Sequence, residues 1–211
     1  MKKFAIGCGI LAVLGVIALA LIIAGGASYN KMVKGSQSVD AAWAQVQNVY
    51  QRRADLIPNL VSTVSGAANF EKSTLTEITT ARASVGQLKL DPNSAPTDAA
   101  KLAEFDKAQR GLSSALSRLL VVIERYPDLK ATSAFRDLQA QLEGTENRIT
   151  VERGKFNEAV QGYNVSIKSF PNVFFAGGLG FKEKPYFTAV PGAEAPPKVQ
   201  FDFGKSAATN H

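Results

Sequence analysis

The residues best equipped for chemistry in this chain are charged ones standing where a helical pattern calls for apolar ones. Val39, Trp43, Val46, Tyr50, Arg53, Ile57, Leu60, Val64 and Ala67 follow a three-four alternation that stays on one face, and Arg53 is its single ion. It belongs to Arg52-Arg53-Ala54-Asp55, just ahead of Pro58-Asn59. Farther along, Gly144-Thr145-Glu146-Asn147-Arg148 and then Glu152-Arg153 interrupt a second apolar stripe. An isolated ion taken out of water costs several kcal/mol even after relaxation, so a buried Arg53 requires a carboxylate. The economical expectation pairs it with Glu146 or Glu152, as a polar layer that fixes helix register.

The same residues admit two other chemistries. Arg52, Arg53 and Arg148 have the charge to hold a small anion. Glu143, Glu146 and Glu152 are candidates for paired acid and base work of the glycosidase kind, which needs a pocket with two carboxylates at a set separation. The candidate binding residues are therefore Arg52, Arg53, Asp55, Asn59, Glu143, Glu146, Asn147 and Arg148. No catalytic residue, metal or cofactor is expected. The one histidine is His211 and the one cysteine is Cys8, so zinc sites and Ser-His-Asp or Cys-His systems have no parts. Gly177-Gly178-Leu179-Gly180 is glycine-dense but lacks the strand before it and the Lys-Ser or Lys-Thr after it that a phosphate loop needs.

The elements that must position these residues are helices. The first domain helix is predicted over about 29–68, with Pro58 kinking it and Asn59 bonding to the backbone groups that the kink frees. A shorter helix over 71–88 carries Leu75, Ile78, Arg82 and Val85, and 91–96 reads as a loop. Thr97 or Asp98 caps a third helix through Leu102, Phe105, Leu112, Leu116, Leu119, Ile123 and Tyr126, which Pro127 stops. A fourth runs from Ser133, as N-cap, to Phe170, where Pro171 ends it. No stretch alternates at period two, so the expected fold is all-α: a transmembrane helix followed by an antiparallel four-helix bundle of long helices. Six aromatics, Phe170, Phe174, Phe175, Phe181, Tyr186 and Phe187, then fall at the membrane-proximal end. The plain expectation is that they pack over the open end of the bundle; a bilayer-surface contact is the alternative.

Residues 4–27 are 24 consecutive residues without Asp, Glu, Lys, Arg, Asn or Gln. A ~30 Å hydrocarbon core takes about 20 apolar residues, whereas secretory signal cores are usually ~7–15. Retention as an anchor through lipid is expected, against a signal peptide cleaved near Ala24-Gly25-Gly26-Ala27. Cys8 lies too early in the run for a lipoprotein signal. Lys2 and Lys3 balance Lys31 and Lys34, and the α-amino group tips the N-terminus toward the cytoplasm. That places the domain outside an inner (plasma) membrane that the chain crosses once. The division is an anchor over 1–28, a helical domain over 29–189 and a mobile tail over 190–211, in which Phe201 and Phe203 dock locally. The net charge of +6 is dispersed, its densest group being Lys182-Glu183-Lys184, so no nucleic-acid partner is expected.

The chain resembles the LemA family in Tyr29-Asn30-Lys31-Met32-Val33, Arg52-Arg53-Ala54-Asp55-Leu56-Ile57-Pro58-Asn59-Leu60-Val61 and Arg125-Tyr126-Pro127-Asp128-Leu129-Lys130. Further matches are Leu142-Glu143-Gly144-Thr145-Glu146-Asn147-Arg148-Ile149, Tyr163-Asn164, Ser169-Phe170-Pro171 and Gly180-Phe181-Lys182-Glu183-Lys184-Pro185-Tyr186-Phe187. Phe156-Asn157 departs from the Tyr-Asn usual there. The resemblance implies a bacterial single-pass membrane protein with an antiparallel four-helix domain, and no particular reaction. The leading expectation is a non-catalytic, membrane-anchored interaction module whose partners are other envelope proteins. A sensor binding a small anionic ligand or peptide at the polar inter-helix cluster comes second, and a carboxylate enzyme third.

Overall fold

The three-four spacing yields helix over most of each stripe, although the third helix ends at Ile123, short of Tyr126, and the fourth at Lys168, short of Phe170. The computed structural model describes residues 2–66, 70–88, 90–91 and 94–188. The regular elements among them are α1 (Lys2–Ser65), α2 (Lys72–Gly86), α3 (Ala99–Ile123), α4 (Pro127–Ala131), α5 (Ser133–Lys168) and α6 (Val173–Ala176). The expected tail beyond 190, with Phe201 and Phe203, lies outside the described residues.

α1 joins the apolar run to the first domain helix without a break. Its 64 residues extend ~96 Å at 1.5 Å per residue. No glycine in a left-handed conformation and no capping turn intervenes at residue 28, and an unsatisfied helix end in an apolar setting would leave four carbonyls without partners. Among the described residues this is the one helix long and apolar enough to cross a membrane. Ile22 and Ile23 on it are 71% and 64% exposed.

Pro58 lies inside α1 without ending it. It cannot donate to the carbonyl of Ala54, and that orphaned oxygen accepts a 2.9 Å hydrogen bond from Arg82 Nε of α2. The freed group is thus answered by a neighbouring helix and not by Asn59, whose side chain points to solvent. Arg82 on the stripe of α2 is explained by the same bond.

Side chains cap the starts of α3 and α5, one of them not at the residue expected. Asp98 Oδ1 accepts from the Ala100 amide at 2.8 Å and opens α3. The cap of α5 is Thr132, not Ser133: its hydroxyl accepts from the Phe135 amide at 3.3 Å. Pro127 follows the end of α3 but also starts α4, because a missing amide hydrogen costs nothing in a first turn.

α5 runs antiparallel to α1, since Gly35 faces Tyr163, Trp43 faces Phe156 and Arg53 faces Glu146. A Cβ on Gly35 would meet Tyr163 Cδ2 at 3.3 Å, so glycine permits the close approach. α2 and α3 are likewise antiparallel, tied by Glu77–Arg118 at 2.7 Å and Glu71–Arg125 at 2.8 Å. Two apolar clusters result. The one nearer the apolar run gathers Trp43, Tyr50, Phe105, Phe156, Tyr163 and Phe187. The distal one gathers Ile57, Leu60, Ile78, Leu112, Leu119 and Phe135.

After α6 the chain returns as an extended strap over 181–188, held by side chains of α5. Asn164 Nδ2 donates to Lys184 O (2.9 Å) while its Oδ1 accepts from Lys184 N (3.0 Å). Asn157 grips Phe187 through the same pair of bonds, both 2.9 Å. Seven residues apart, the two asparagines lie on one helix face and hold strap residues three apart. Phe187 packs against both Trp43 and Phe156, and Lys184 Nζ reaches Asp40 at 2.7 Å. Of the six aromatics in this region, Phe175, Phe181 and Phe187 turn inward, whereas Phe170, Phe174 and Tyr186 are exposed.

Asn164→Ala strands two buried backbone groups of Lys184 and is expected to cost on the order of 2 kcal/mol. The check is the thermal melt of the full chain in detergent, against Asn157→Ala as the parallel case. An unchanged midpoint for both would show that the strap does not stabilise the helices.

Candidate functional site

Two tiers of polar side chains separate the apolar clusters. In the distal tier Arg53 is 1% exposed. Its Nη1 donates to Glu146 Oε2 at 2.9 Å and to Ser113 Oγ at 2.7 Å. Its Nη2 donates to the Gln109 backbone oxygen at 3.2 Å and to Gln109 Oε1 at 2.5 Å. The guanidinium stands 5.1 Å from the Tyr50 ring centre. Its Nε is buried without a hydrogen-bond acceptor.

One turn nearer the apolar run, Asp106 of α3 is buried and accepts from two arginines. Arg153 of α5 reaches it at 2.7 Å, and Arg110 lies one helical turn away on α3 itself. Arg153 also donates to the Tyr50 hydroxyl at 3.3 Å and stacks 4.3 Å from the Phe187 ring centre. Burial pushes the Tyr50 phenol above its ordinary 10.0, while Arg153 and Arg53 pull the other way and Asp106 adds to the rise.

Of the eight candidate residues, the structure brings Arg53 and Glu146 together. Glu146, not Glu152, is the partner of Arg53; Glu152 is bound by Lys155 at 2.8 Å. The other six stand exposed on α1 and α5. Asp55 accepts from Gln51 and Glu143 from Gln139, each one helical turn away. Arg52, Asn147 and Arg148 form no side-chain hydrogen bond or ion pair among the described residues. The Arg53–Glu146 bond sets the two segments at one level of the molecule.

Sequence reasoning missed the contribution of α3. Asp106, Gln109 and Ser113 supply three of the anchoring groups, and Arg153 was seen only as an interruption. A signal existed: Gln109 occupies the gap between Phe105 and Leu112 on the α3 stripe, where an apolar residue would otherwise stand.

Between α3 and α5 the tiers open to the surface as a groove of about 610 Å³, lined by Arg53, Arg110, Arg153, Glu146 and Thr150 among others. A smaller hollow of about 200 Å³ continues past Ser113 and Glu143. The groove offers guanidinium and hydroxyl donors, but Asp106 and Glu146 already neutralise most of its charge. Among the described residues no group of His, Cys, Asp and Glu is arranged to hold a metal.

A family model described as LemA family matches residues 42–201. Magnetosome protein MamQ 2 of Paramagnetospirillum magneticum is 28% identical over 183 residues, covering 80% of this chain and 67% of that one. Magnetosome protein MamQ of Magnetospirillum gryphiswaldense matches to the same extent. Protein LemA of Metamycoplasma hominis is 24% identical over 141 residues, 67% of this chain and 60% of that one.

Arg53→Ala is expected to lower stability by about 3 kcal/mol, because it strands Gln109 and opens a cavity. Glu146, 52% exposed, is left able to regain water. A denaturation midpoint equal to that of the parent would remove the polar layer from the stabilising interactions.

Tyr50 carries a pH dependence. A phenol held protonated above its unfolded value of 10.0 contributes stability that is whole below that value and is lost as pH rises through the folded one. Burial shifts Tyr163 in the same direction, helped by Asp40. Melting temperatures should therefore fall above about pH 10, and Tyr50→Phe should flatten that fall relative to the parent without abolishing it. Parallel curves for the two proteins would count against the buried phenol.

Proposed function

Since the chain belongs to the LemA family, we propose that it is a non-catalytic interaction module of the bacterial cell envelope. In this reading the first turns of α1 cross the inner membrane once, and α1, α2, α3 and α5 stand as an antiparallel four-helix bundle on the extracytoplasmic side. One observation carries it. The buried charges Arg53, Asp106 and Lys184 are each answered by an opposite charge (Glu146, Arg153 and Asp40), whereas the polar residues around them on α1 and α5 are turned outward. Paired interior charges hold a register; the exposed set is what remains to meet a partner. That relatives are named for a cellular structure, the magnetosome, supports a part in an assembly over a part in a reaction.

The proposed surface joins Arg52, Asp55 and Asn59 to Glu143, Asn147 and Arg148, with Glu146 at its rim and Arg53 beneath it. The unbroken α1 would present it ~40 Å from the end of the apolar run, at 1.5 Å per residue over 27–53. A second reading, a sensor of small anions or acidic peptides, draws support from the groove between α3 and α5 and the unaccepted Nε of Arg53. It ranks behind because Asp106 and Glu146 already compete for the same guanidinium groups.

A photo-crosslinking residue at Asn147 in native membranes, followed by mass spectrometry, should capture another envelope protein. Charge reversal at Asp55 and Arg148 (D55K, R148E) should cut that capture several-fold while leaving the melting temperature unchanged. Capture that survives both reversals in folded protein would overturn this surface.

A further inference from the structure

We infer that residues 170–181 form an interfacial lipid-docking surface, seated on the same bilayer that α1 crosses. The inference rests on the proposed membrane crossing. Phe170 and Phe174 are 81% and 75% exposed and meet edge to face at 6.0 Å, and Val173 and Leu179 beside them are exposed as well. A contiguous group of large apolar side chains facing outward marks a contact surface, and a bulky aromatic pair is costly to leave in water.

The segment is held firmly while it presents this face. Asn172 is buried and donates to Ser166 O at 2.9 Å and to Ser166 Oγ at 3.2 Å. The Phe181 amide donates to Ala176 O at 3.0 Å, closing a turn in which Gly180 takes φ +79°. That conformation suits glycine and resists a side chain. The exposure of Phe170 and Phe174 is therefore the settled outcome of a stapled turn.

Its height identifies the occupant. Phe175 packs on α1 at Gly25, where a Cβ would lie 3.7 Å from its ring. Tyr29 meets Phe181 with ring centres 5.8 Å apart. The apolar run ends at Ala27, so these contacts straddle its end by ~3 Å on either side. Interfacial layers of ~5–8 Å flank the hydrocarbon core, and aromatic side chains concentrate there. Ile22 and Ile23, within one turn of Gly25 on α1, are exposed as well. Lys31 stands exposed ~6 Å beyond the end of the run, within that layer, with Lys34 and Lys182 exposed farther out, and Lys168 is bound by Glu183. This balance favours anionic headgroups.

The full-length chain in bilayer nanodiscs of phosphatidylcholine and phosphatidylglycerol tests this through tryptophan fluorescence. Trp43 is the one native tryptophan and is fully buried, so the parent supplies the background. Phe174→Trp, with Phe170→Trp as an independent second site, should emit at shorter wavelength than an exposed indole. Lipids brominated high on the acyl chain should quench it at least twofold more than the parent. Ile17→Trp, mid-run, should be quenched best by deep bromines. Quenching at Ile17 with none at 170 or 174 would overturn the docking surface and leave the anchor standing. Quenching at none of the three would overturn the crossing and the inference together. A blue shift at 174 that depends on protein concentration, without quenching, would assign the face to a second copy and refute lipid.

Discussion

A guanidinium sealed from water at the meeting of three helices is the constraint on which the rest depends. Arg53 leaves α1 at a point where an apolar residue would have cost nothing, and its charge obliges α3 and α5 to bring acceptors to it. Ser113 and Gln109 answer from α3, and Glu146 answers from α5 at the rim. A slip of one residue in either helix would turn an acceptor away by 100°. Apolar contacts are tolerant of such slips, and these bonds are not. One turn below, Asp106 repeats the logic with the signs exchanged: a buried carboxylate requires Arg153 and Arg110.

The two tiers separate one apolar cluster from the other, so each packs against its own set of side chains. Trp43, Phe105, Phe156 and Phe187 interlock beneath the tiers in edge-to-face and tilted pairs. The strap is part of this arrangement, because Phe187 touches both the aromatic cluster and the Arg153 guanidinium. Asn157 and Asn164 keep it in place by satisfying backbone groups that would otherwise be buried without partners.

α1 gives the molecule its axis. One helix includes the apolar run, the aromatic contacts at Gly25 and Tyr29, the Arg53 tier and Pro58 beyond it. Pro58 opens one backbone acceptor, and Arg82 uses it to hold α2. A defect in one helix thereby becomes a specific joint with another, and the helix continues.

Local periodicity and stop signals determined the helical elements from sequence alone, because a three-four stripe and a proline act within a few residues of themselves. The same stripe placed Arg53 inside, and the cost of an unpaired buried ion required a carboxylate partner. The choice of Glu146 over Glu152 was not legible, since both lie near the right height and only the rotation of α5 about its axis decides between them. Asp106, Gln109 and Ser113 were equally out of reach: a polar residue on a stripe shows that a partner is needed, not which helix supplies it. The caps show the limit at short range, where Thr132 and Ser133 offer the same hydroxyl and the backbone turn selects one. The split of the six aromatics, with Phe175, Phe181 and Phe187 turned in and Phe170, Phe174 and Tyr186 turned out, came only from the folded turn and strap. The turn's staples at Asn172 and Gly180 link residues whose approach no local pattern encodes.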